Sequence, residues 1–242
     1  MSLTSRMRAL AGALALASIV AAPAFGATCD STYSYAGFAN ERPGHGVKAT
    51  LTAVSLPQVA WGHVAGWVGV GGPGMGPNGE DEWIQVGFSG FAGSGVHLYY
   101  EVTRPGATPE YNEVEAEVPV GQARRVAVLE MAFRKSWWRV WVDGIPVSQP
   151  VFLPGSHGTW TPMATAESWN AGKAPCNRFE YRFDRVMVAR HAGGAWRRLS
   201  PGYTFEDPGY RVLASERSSF LATGFAQDEP SDVASVVARR AG

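Results

Sequence analysis

The fold is decided by residues 66–102, which read G-W-V-G-V-G-G-P-G-M-G-P-N-G-E-D-E-W-I-Q-V-G-F-S, then a short loop, then V-H-L-Y-Y-E-V. Three apolar and aromatic runs, Trp67–Val70, Trp83–Phe88 and His97–Val102, predict three strands, because β-branched and aromatic residues favour extended backbone. The Gly- and Pro-rich segment between the first two runs excludes a helix there. Three neighbouring strands are therefore expected.

The second of these strands has one apolar face and one polar face. Side chains alternate along a strand, so Ile84, Val86 and Phe88 point one way while Trp83 and Gln85 point the other. The third strand repeats the arrangement, and its polar and aromatic side carries His97, Tyr99 and Glu101. We expect the apolar face to enter the core, which leaves the second face to hold a ligand or substrate.

The first 26 residues predict a signal peptide, since a basic start precedes the apolar run Ala9–Ala22 and small residues offer cleavage sites. The remainder has no apolar run of about 18 residues that could span a bilayer. We therefore expect a secreted, extracellular protein with no membrane partner after signal removal. A retained signal anchor is the alternative.

The charge balance argues against polyanionic partners. The whole chain carries 21 basic and 21 acidic residues. Removing the signal takes away Arg6 and Arg8 and no acid, which leaves 19 basic against 21 acidic residues and a formal charge of −2. Nucleic acid is therefore not an expected partner. We expect a monomer.

The two cysteines, Cys29 and Cys176, lie at opposite ends of the expected domain. An exported chain favours their oxidation, so we predict one disulfide between them, with two free thiols as the alternative. Two cysteines and five histidines give no zinc-type spacing. We expect neither a metal nor a cofactor.

Short strands follow one another along the rest of the chain, with no amphipathic helix of useful length. The strongest signal is a hairpin on the turn Asp143-Gly144, between Trp137–Val142 and Ile145–Val147. Further strands are expected at residues 33–38, 47–54, 111–118, 125–133, 160–169 and 179–189. This pattern predicts an all-β fold, a two-sheet antiparallel β-sandwich of the jelly-roll kind, over residues 27–205. Residues 206–242 are expected to form a flexible or weakly helical tail, or else a docked helix.

Three pieces of the sequence resemble the glutamic peptidases, or eqolisins. They are V-K-A-T-L-T-A-V-S-L-P ahead of G-W-V-G-V-G-G, then E-W-I-Q-V-G-F followed by L-Y-Y-E-V-T-R-P-G, and finally A-T-A-E-S-W-N. The resemblance covers about residues 47–170. It implies a concanavalin-like sandwich, a secreted acid endopeptidase activity on polypeptides, and a catalytic pair formed by Gln85 and Glu167. The chain departs from the family pattern at Ser168, which separates Glu167 from Trp169.

The residue types of this pair suit peptide hydrolysis. A carboxyl group can act as general base towards water and then as acid towards the leaving amine. A neutral amide beside it can orient the water and donate to the developing oxyanion. Around the pair, we expect the following residues to bind substrate: Trp67, Trp83, Tyr99, Glu101, Trp141 and Trp169.

Other functions remain open on the same fold. The aromatic residues would also suit a non-catalytic carbohydrate-binding, lectin-like module, because aromatic rings stack on sugar rings. Three carboxylates on one strand, Glu113, Glu115 and Glu117, superficially resemble a glycoside hydrolase motif. No G-x-S-x-G motif accompanies the scattered histidines, so a serine hydrolase is not expected.

Overall fold

Two antiparallel β-sheets pack face to face in the computed structural model, which describes residues 33–173, 176–216 and 218–224. The two-sheet β-sandwich predicted from the sequence is thus confirmed. One short 3₁₀ turn, Pro77–Gly79, interrupts the strands. In the part of the chain described, no helix is long and apolar enough to cross a membrane.

The described residues form sixteen strands. In chain order they are β1 Tyr33–Asn40, β2 Gly46–Ala53, β3 His63–Gly72, β4 Glu82–Phe91, β5 Val96–Thr103, β6 Glu110–Val118, β7 Ala123–Glu130, β8 Trp137–Val142, β9 Ile145–Pro146, β10 Val151–Phe152, β11 Met163–Trp169, β12 Phe179–His191, β13 Gly194–Arg198, β14 Pro201–Glu206, β15 Tyr210–Glu216 and β16 Ser219–Gly224. The first sheet has the order β14-β1-β11-β3-β4-β5-β6. The second has the order β10-β8-β7-β2-β12-β16-β15, with β13 beside β12 and β9 beside β8.

The three strands that the opening stretch predicts, β3, β4 and β5, are neighbours in the first sheet. Ile84, Val86 and Phe88 point between the sheets and are completely buried. Burying side chains of this size stabilises the fold by about 1.5–3 kcal/mol each. From the second sheet, Leu51 and Phe183 meet them in the same core. The alternation along β4 therefore turns Trp83 and Gln85 to the outer face of the first sheet.

The hairpin predicted at Asp143-Gly144 joins β8 to β9. Both turn residues have positive φ, 49° and 86°, which is the backbone of a type I′ turn and matches the twist of the flanking strands. The strand predicted over residues 125–133 ends earlier, at Glu130. Phe133 is fully exposed and has φ 59°, so it lies in a turn and not in the strand.

The prediction of a tail from residue 206 is wrong for residues 210–216 and 219–224. These residues form β15 and β16, and β16 pairs with β12 from Phe179 to Phe183. Phe220 of β16 is buried and stacks on Phe183 with 4.6 Å between ring centroids. The polar composition of the segment concealed these strands, because alternate residues face solvent.

The first strand is also more central than its lead-in sequence suggests. The Gly-, Ser- and Tyr-rich sequence around residues 33–38 is typical of a short edge strand, but β1 pairs with β11 on one side and with β14 on the other. The predicted signal peptide lies outside the described residues. So does Cys29, and the Cys29–Cys176 disulfide therefore stays a prediction.

Candidate active site

A cavity of about 620 Å³ opens on the outer face of the first sheet, which we call the site face. Strands β1, β11, β3, β4 and β5 supply its floor and walls. Six of the eight predicted site residues line it: Trp67, Trp83, Gln85, Glu101, Glu167 and Trp169. The sheet therefore brings together residues that are up to 102 positions apart in the sequence.

Gln85 projects from the middle of β4 and is nearly buried. Its Nε2 donates a hydrogen bond to the hydroxyl of Tyr99 over 3.0 Å. Tyr99 lies beneath the cavity and is also buried. Burial and then the nearby charge of Glu167 raise the pKa of the Tyr99 hydroxyl well above its usual value, so this group stays protonated. The Gln85 amide is thus held in one orientation, because it donates to a neutral and buried hydroxyl.

Glu167 projects from β11, where Ala164 and Ala166 point into the core. Because side chains alternate along a strand, Glu167 shares the site face with Thr165 and Trp169. His63 Nε2 lies 3.3 Å from Glu167 Oε1. The other carboxylate oxygen, Oε2, has no hydrogen-bond partner among the described residues. One oxygen is therefore oriented by a histidine, and the other is available to a ligand.

One strand, β3, separates the two predicted catalytic side chains. Gln85 lies opposite Gly69, and Glu167 lies opposite Ala65, four residues further along the same strand. The charge of Glu167 nevertheless acts on Tyr99 and Glu101, the two side chains that lie beside Gln85. No hydrogen bond joins the two side chains, and each is bonded to a different neighbour. The arrangement leaves space for a ligand between them.

A second carboxyl group lies close to Gln85. Glu101 is its direct partner across β4 and β5, and Trp83 Nε1 donates a hydrogen bond to Glu101 Oε1 over 2.8 Å. Burial raises the pKa of the Glu101 carboxyl. The Trp83 bond opposes this shift, the charge of Glu167 adds to it, and His63 opposes it. Burial thus favours the protonated form of the Glu101 carboxyl.

The cavity is acidic. Three carboxyl groups line it, from Asp81, Glu101 and Glu167, and of the described lining residues none is a lysine or arginine. His63 is the nearest basic side chain. Trp67 contributes an indole Nε1 that is buried without a hydrogen-bond partner among the described residues. A ligand that brings a hydrogen-bond acceptor or positive charge would therefore be favoured here.

A continuous series of aromatic rings crosses the site face. Tyr33 stacks on Tyr35 and on Trp169, with centroids 6.1 and 6.2 Å apart. The series continues through His63, 5.4 Å from Trp169, to Phe91 and Tyr111. Tyr33, Phe91 and Tyr111 are exposed. These rings form a platform long enough for an extended chain.

The prediction that Trp141 shares this face is wrong. Trp141 lies on β8 in the second sheet, with Val140 and Val142 in the core. It therefore points to the opposite side of the molecule, where it lines another groove with Lys48 and Trp196. Strand alternation correctly placed Trp141 outside the core, but the sheet to which a strand belongs depends on long-range pairing.

The three glutamates that resemble a glycoside hydrolase motif lie on β6, outside the described lining of the cavity. Glu113 accepts from His97 Nδ1 over 2.7 Å, and Glu115 forms a bidentate pair with Arg124. Glu117 has φ 53° near the end of β6. Among the described lining residues of the cavity, none of the three is present. These carboxylates form a solvated strand face.

Sequence reasoning missed several residues of the cavity. His63, Tyr33, Tyr35 and Asp81 line it and were not predicted. His63 could have been found, because it shares the parity of Trp67 on β3. Tyr35 lies opposite Glu167 only because β1 pairs with β11, and no local pattern indicates that pairing.

Comparison with known proteins bears on the fold. No protein-family model matches the sequence, and no curated protein matches it significantly. Among solved structures, scytalido-glutamic peptidase with a peptide-based transition-state analogue matches with a TM-score of 0.58, covering 80% of this chain and 98% of that chain at 14% identity. The chain has the fold of the glutamic peptidases.

A further structure supports the glutamic-peptidase fold. SCP-B, a member of the eqolisin family in complex with the tripeptide Ala-Ile-His, matches with a TM-score of 0.52, again covering 80% of this chain and 98% of that chain at 14% identity. The concanavalin-like sandwich implied by the sequence motifs is thereby confirmed. A shared fold does not fix an activity, which depends on the residues of the cavity.

Proposed function

We propose that this protein is a secreted endopeptidase of the glutamic type, with Gln85 and Glu167 as its catalytic pair. The observation that carries the proposal is that both side chains line one cavity on the same sheet face. The similarity of the fold to peptidases bound to a transition-state analogue and to a tripeptide supports it. A polypeptide is the proposed substrate.

Glu167 would act as general base and then as general acid. Its Oε2 takes a proton from a water molecule, the water oxygen attacks the peptide carbonyl, and the same carboxyl then donates that proton to the leaving amine. His63, 3.3 Å from Oε1, holds the carboxylate in orientation. Its contribution is positioning, because it acts through Glu167.

Gln85 would stabilise the oxyanion. A glutamine amide carries two N–H donors, and Tyr99 takes one of them. The second is left for the oxygen that becomes negatively charged in the tetrahedral intermediate. A donor fixed in this way needs little reorganisation during the reaction, which is the property that makes oxyanion holes effective.

The walls of the cavity would bind the peptide on either side of the scissile bond. An extended peptide presents backbone acceptors and alternate side chains. Trp67 and Trp169 line the cavity, and Trp169 offers an aromatic face beside Glu167. The three carboxyl groups of the cavity would favour substrates with basic residues.

The test is digestion of denatured casein from pH 2 to 7 by the purified protein and by the variants Glu167→Gln and Gln85→Ala. We expect cleavage by the wild type and a loss of kcat of at least about 100-fold in each variant, since removing one oxyanion donor costs about 10² to 10³. Glu113→Gln is the matched control, because Glu113 is a carboxyl of the same sheet outside the cavity. Folded wild-type protein that cleaves nothing at any pH would refute the proposal.

Carbohydrate binding is the second candidate function. The specific observation in its favour is the exposed aromatic series from Tyr33 to Tyr111. A glycan array separates the two functions. Binding that survives Glu167→Gln but is lost in Tyr33→Ala would support the lectin-like alternative, whereas absence of binding to any glycan would remove it.

A further inference from the structure

Two of the five histidines of the chain converge on one carboxylate, on the part of the molecule that the second sheet builds. His45 Nδ1 lies 2.6 Å from Glu130 Oε2, and His157 Nδ1 lies 2.7 Å from Glu130 Oε1. One ligand atom from each residue can be chosen so that all lie within 4.8 Å of one another. Among the described residues, this is the one such group of three or more potential metal ligands.

Three separate segments of the chain build this cluster. Glu130 ends β7, His45 immediately precedes β2, and His157 lies in the loop after β10. The backbone connects two of them, because Glu130 N donates to His45 O over 2.8 Å. The Ser136 amide donates to Glu130 Oε1 over 2.6 Å and fixes the carboxylate plane. The side chains are therefore held in place before any ligand arrives.

Glu130 is a buried carboxylate that is held by the two histidines. Its side chain is completely buried, and a buried carboxylate is costly unless it is paired or coordinates a metal. Among the described residues, neither a lysine nor an arginine forms an ion pair with Glu130, and its ion-pair partners are the two histidines. The buried carboxylate is therefore held by two imidazole nitrogens and the Ser136 amide, with no permanently charged side chain beside it among the described residues.

We propose that His45, Glu130 and His157 form a binding site for a divalent transition metal, with Zn²⁺ as the best match. Two imidazoles and one carboxylate form a ligand set that Zn²⁺ takes in proteins, at about 2.0–2.2 Å from each ligand. Zn²⁺ would take the place of the two Nδ1 hydrogens, with each imidazole binding as the neutral tautomer that carries its proton on Nε2. The His157 side chain is 37% exposed, which gives the metal an entry path and leaves a coordination position for water.

The bound metal would stabilise the loop that leads towards the active site. Gly155, two residues before His157, donates its amide to Glu82 Oε2 over 3.1 Å. Glu82 begins β4, the strand that carries Trp83 and Gln85. A metal bound to His157 would thus also stabilise the hydrogen bond between Gly155 and Glu82 at the start of β4. The site is separate from the cavity on the site face, since none of its ligands lines that cavity among the described residues.

The test uses full-length protein that has been treated with a chelator and dialysed, with ZnCl₂ as the probe. We expect one equivalent of Zn²⁺ to bind by calorimetry and the Tm to rise by about 5–10 °C at 100-fold excess over Kd. Co²⁺ provides a second readout, because coordination by imidazole nitrogen and carboxylate oxygen in a distorted site gives visible absorption bands. Both measurements are independent of any peptidase activity.

His157→Asn should weaken Zn²⁺ binding by at least about 10-fold and remove the Co²⁺ bands. His97→Asn is the matched control, because His97 also places Nδ1 2.7 Å from a glutamate oxygen but has no second histidine on that carboxylate. His45→Asn serves if His157→Asn does not fold by circular dichroism. Folded wild type with no metal-dependent Tm shift and no bands, or equal binding by His157→Asn, would overturn the site and leave a hydrogen-bonded cluster.

Discussion

Gln85 and Glu101 lie directly opposite each other across β4 and β5, so a neutral amide and a half-buried carboxyl occupy adjacent positions on the site face. The indole N–H of Trp83 donates a hydrogen bond to the Glu101 carboxyl. The three side chains form one supported unit. Because Trp83 holds the Glu101 carboxyl, this carboxyl keeps a fixed position beside the amide that we propose to stabilise negative charge.

Glu101→Ala should destabilise the protein by about 1.5–3 kcal/mol, because Trp83 Nε1 loses a charged acceptor. Glu101→Gln should cost less than about 1 kcal/mol, since the amide oxygen still accepts from Trp83. Urea denaturation of both variants at pH 7 measures the difference. Equal destabilisation by the two variants would mean that the indole bond does not contribute.

Tyr99→Phe should lower kcat about 10-fold with little change in KM, if the proposed activity is present. The variant removes the hydroxyl that accepts from Gln85, and an unpaired buried amide costs about 1–3 kcal/mol. Peptidase assays with a small fluorogenic peptide give both constants. Tyr111→Phe is the control, because its hydroxyl lies 2.9 Å from Ser89 instead. Equal effects of the two variants would contradict a positioning role for Tyr99.

Glu82→Gln should flatten the dependence of stability on pH. Glu82 is completely buried, and its Oε1 has no partner among the described residues. Burial raises the pKa of this carboxyl, and the Gly155 bond opposes the shift. The contribution to stability is therefore complete below the unfolded pKa, about 4.3, and is lost as pH rises through the higher folded value.

Glu82 should accordingly make the wild-type protein more stable at pH 4 than at pH 7.5. The Glu82→Gln variant should lack this gain. Urea denaturation at the two pH values checks it, and Glu216→Gln, which changes an exposed carboxyl, serves as the reference. An unchanged difference between the two pH values in Glu82→Gln would contradict the assignment.

Gly69→Ala should disturb Gln85 directly. Gly69 lies opposite Gln85, and a Cβ added there would lie 2.8 Å from Gln85 Cβ and 2.9 Å from the Ile84 carbonyl oxygen. Crowding of this kind costs about 1–3 kcal/mol, and we expect a loss of stability together with a loss of the proposed peptidase activity. Thermal denaturation and the casein assay measure the two effects. Gly95→Ala, whose nearest atom would be 3.7 Å away, should change neither.

Local sequence pattern predicted much of the site and little of its connections. Alternation along β4 correctly separated Gln85 from Ile84 and Val86, since period two depends only on the strand itself. The same rule could not decide which sheet receives Trp141. Tyr35 lies opposite Glu167, 132 positions away in the sequence, and His45 contacts Glu130, 85 positions away. Their roles depend on tertiary contacts that no short window contains.

The position of β16 between β12 and β15 has a consequence for the biogenesis of the protein. β12 pairs with β2 on one side and with β16 on the other, and β16 is the last of the described strands to be synthesised. A nascent chain therefore exposes an unpaired edge of β12, with Phe183 uncovered, until residues 219–224 have left the ribosome. Open strand edges favour aggregation. The chain must stay soluble with this edge open until β16 is made, so its yield in a cell should depend on chaperones that protect unfolded chains.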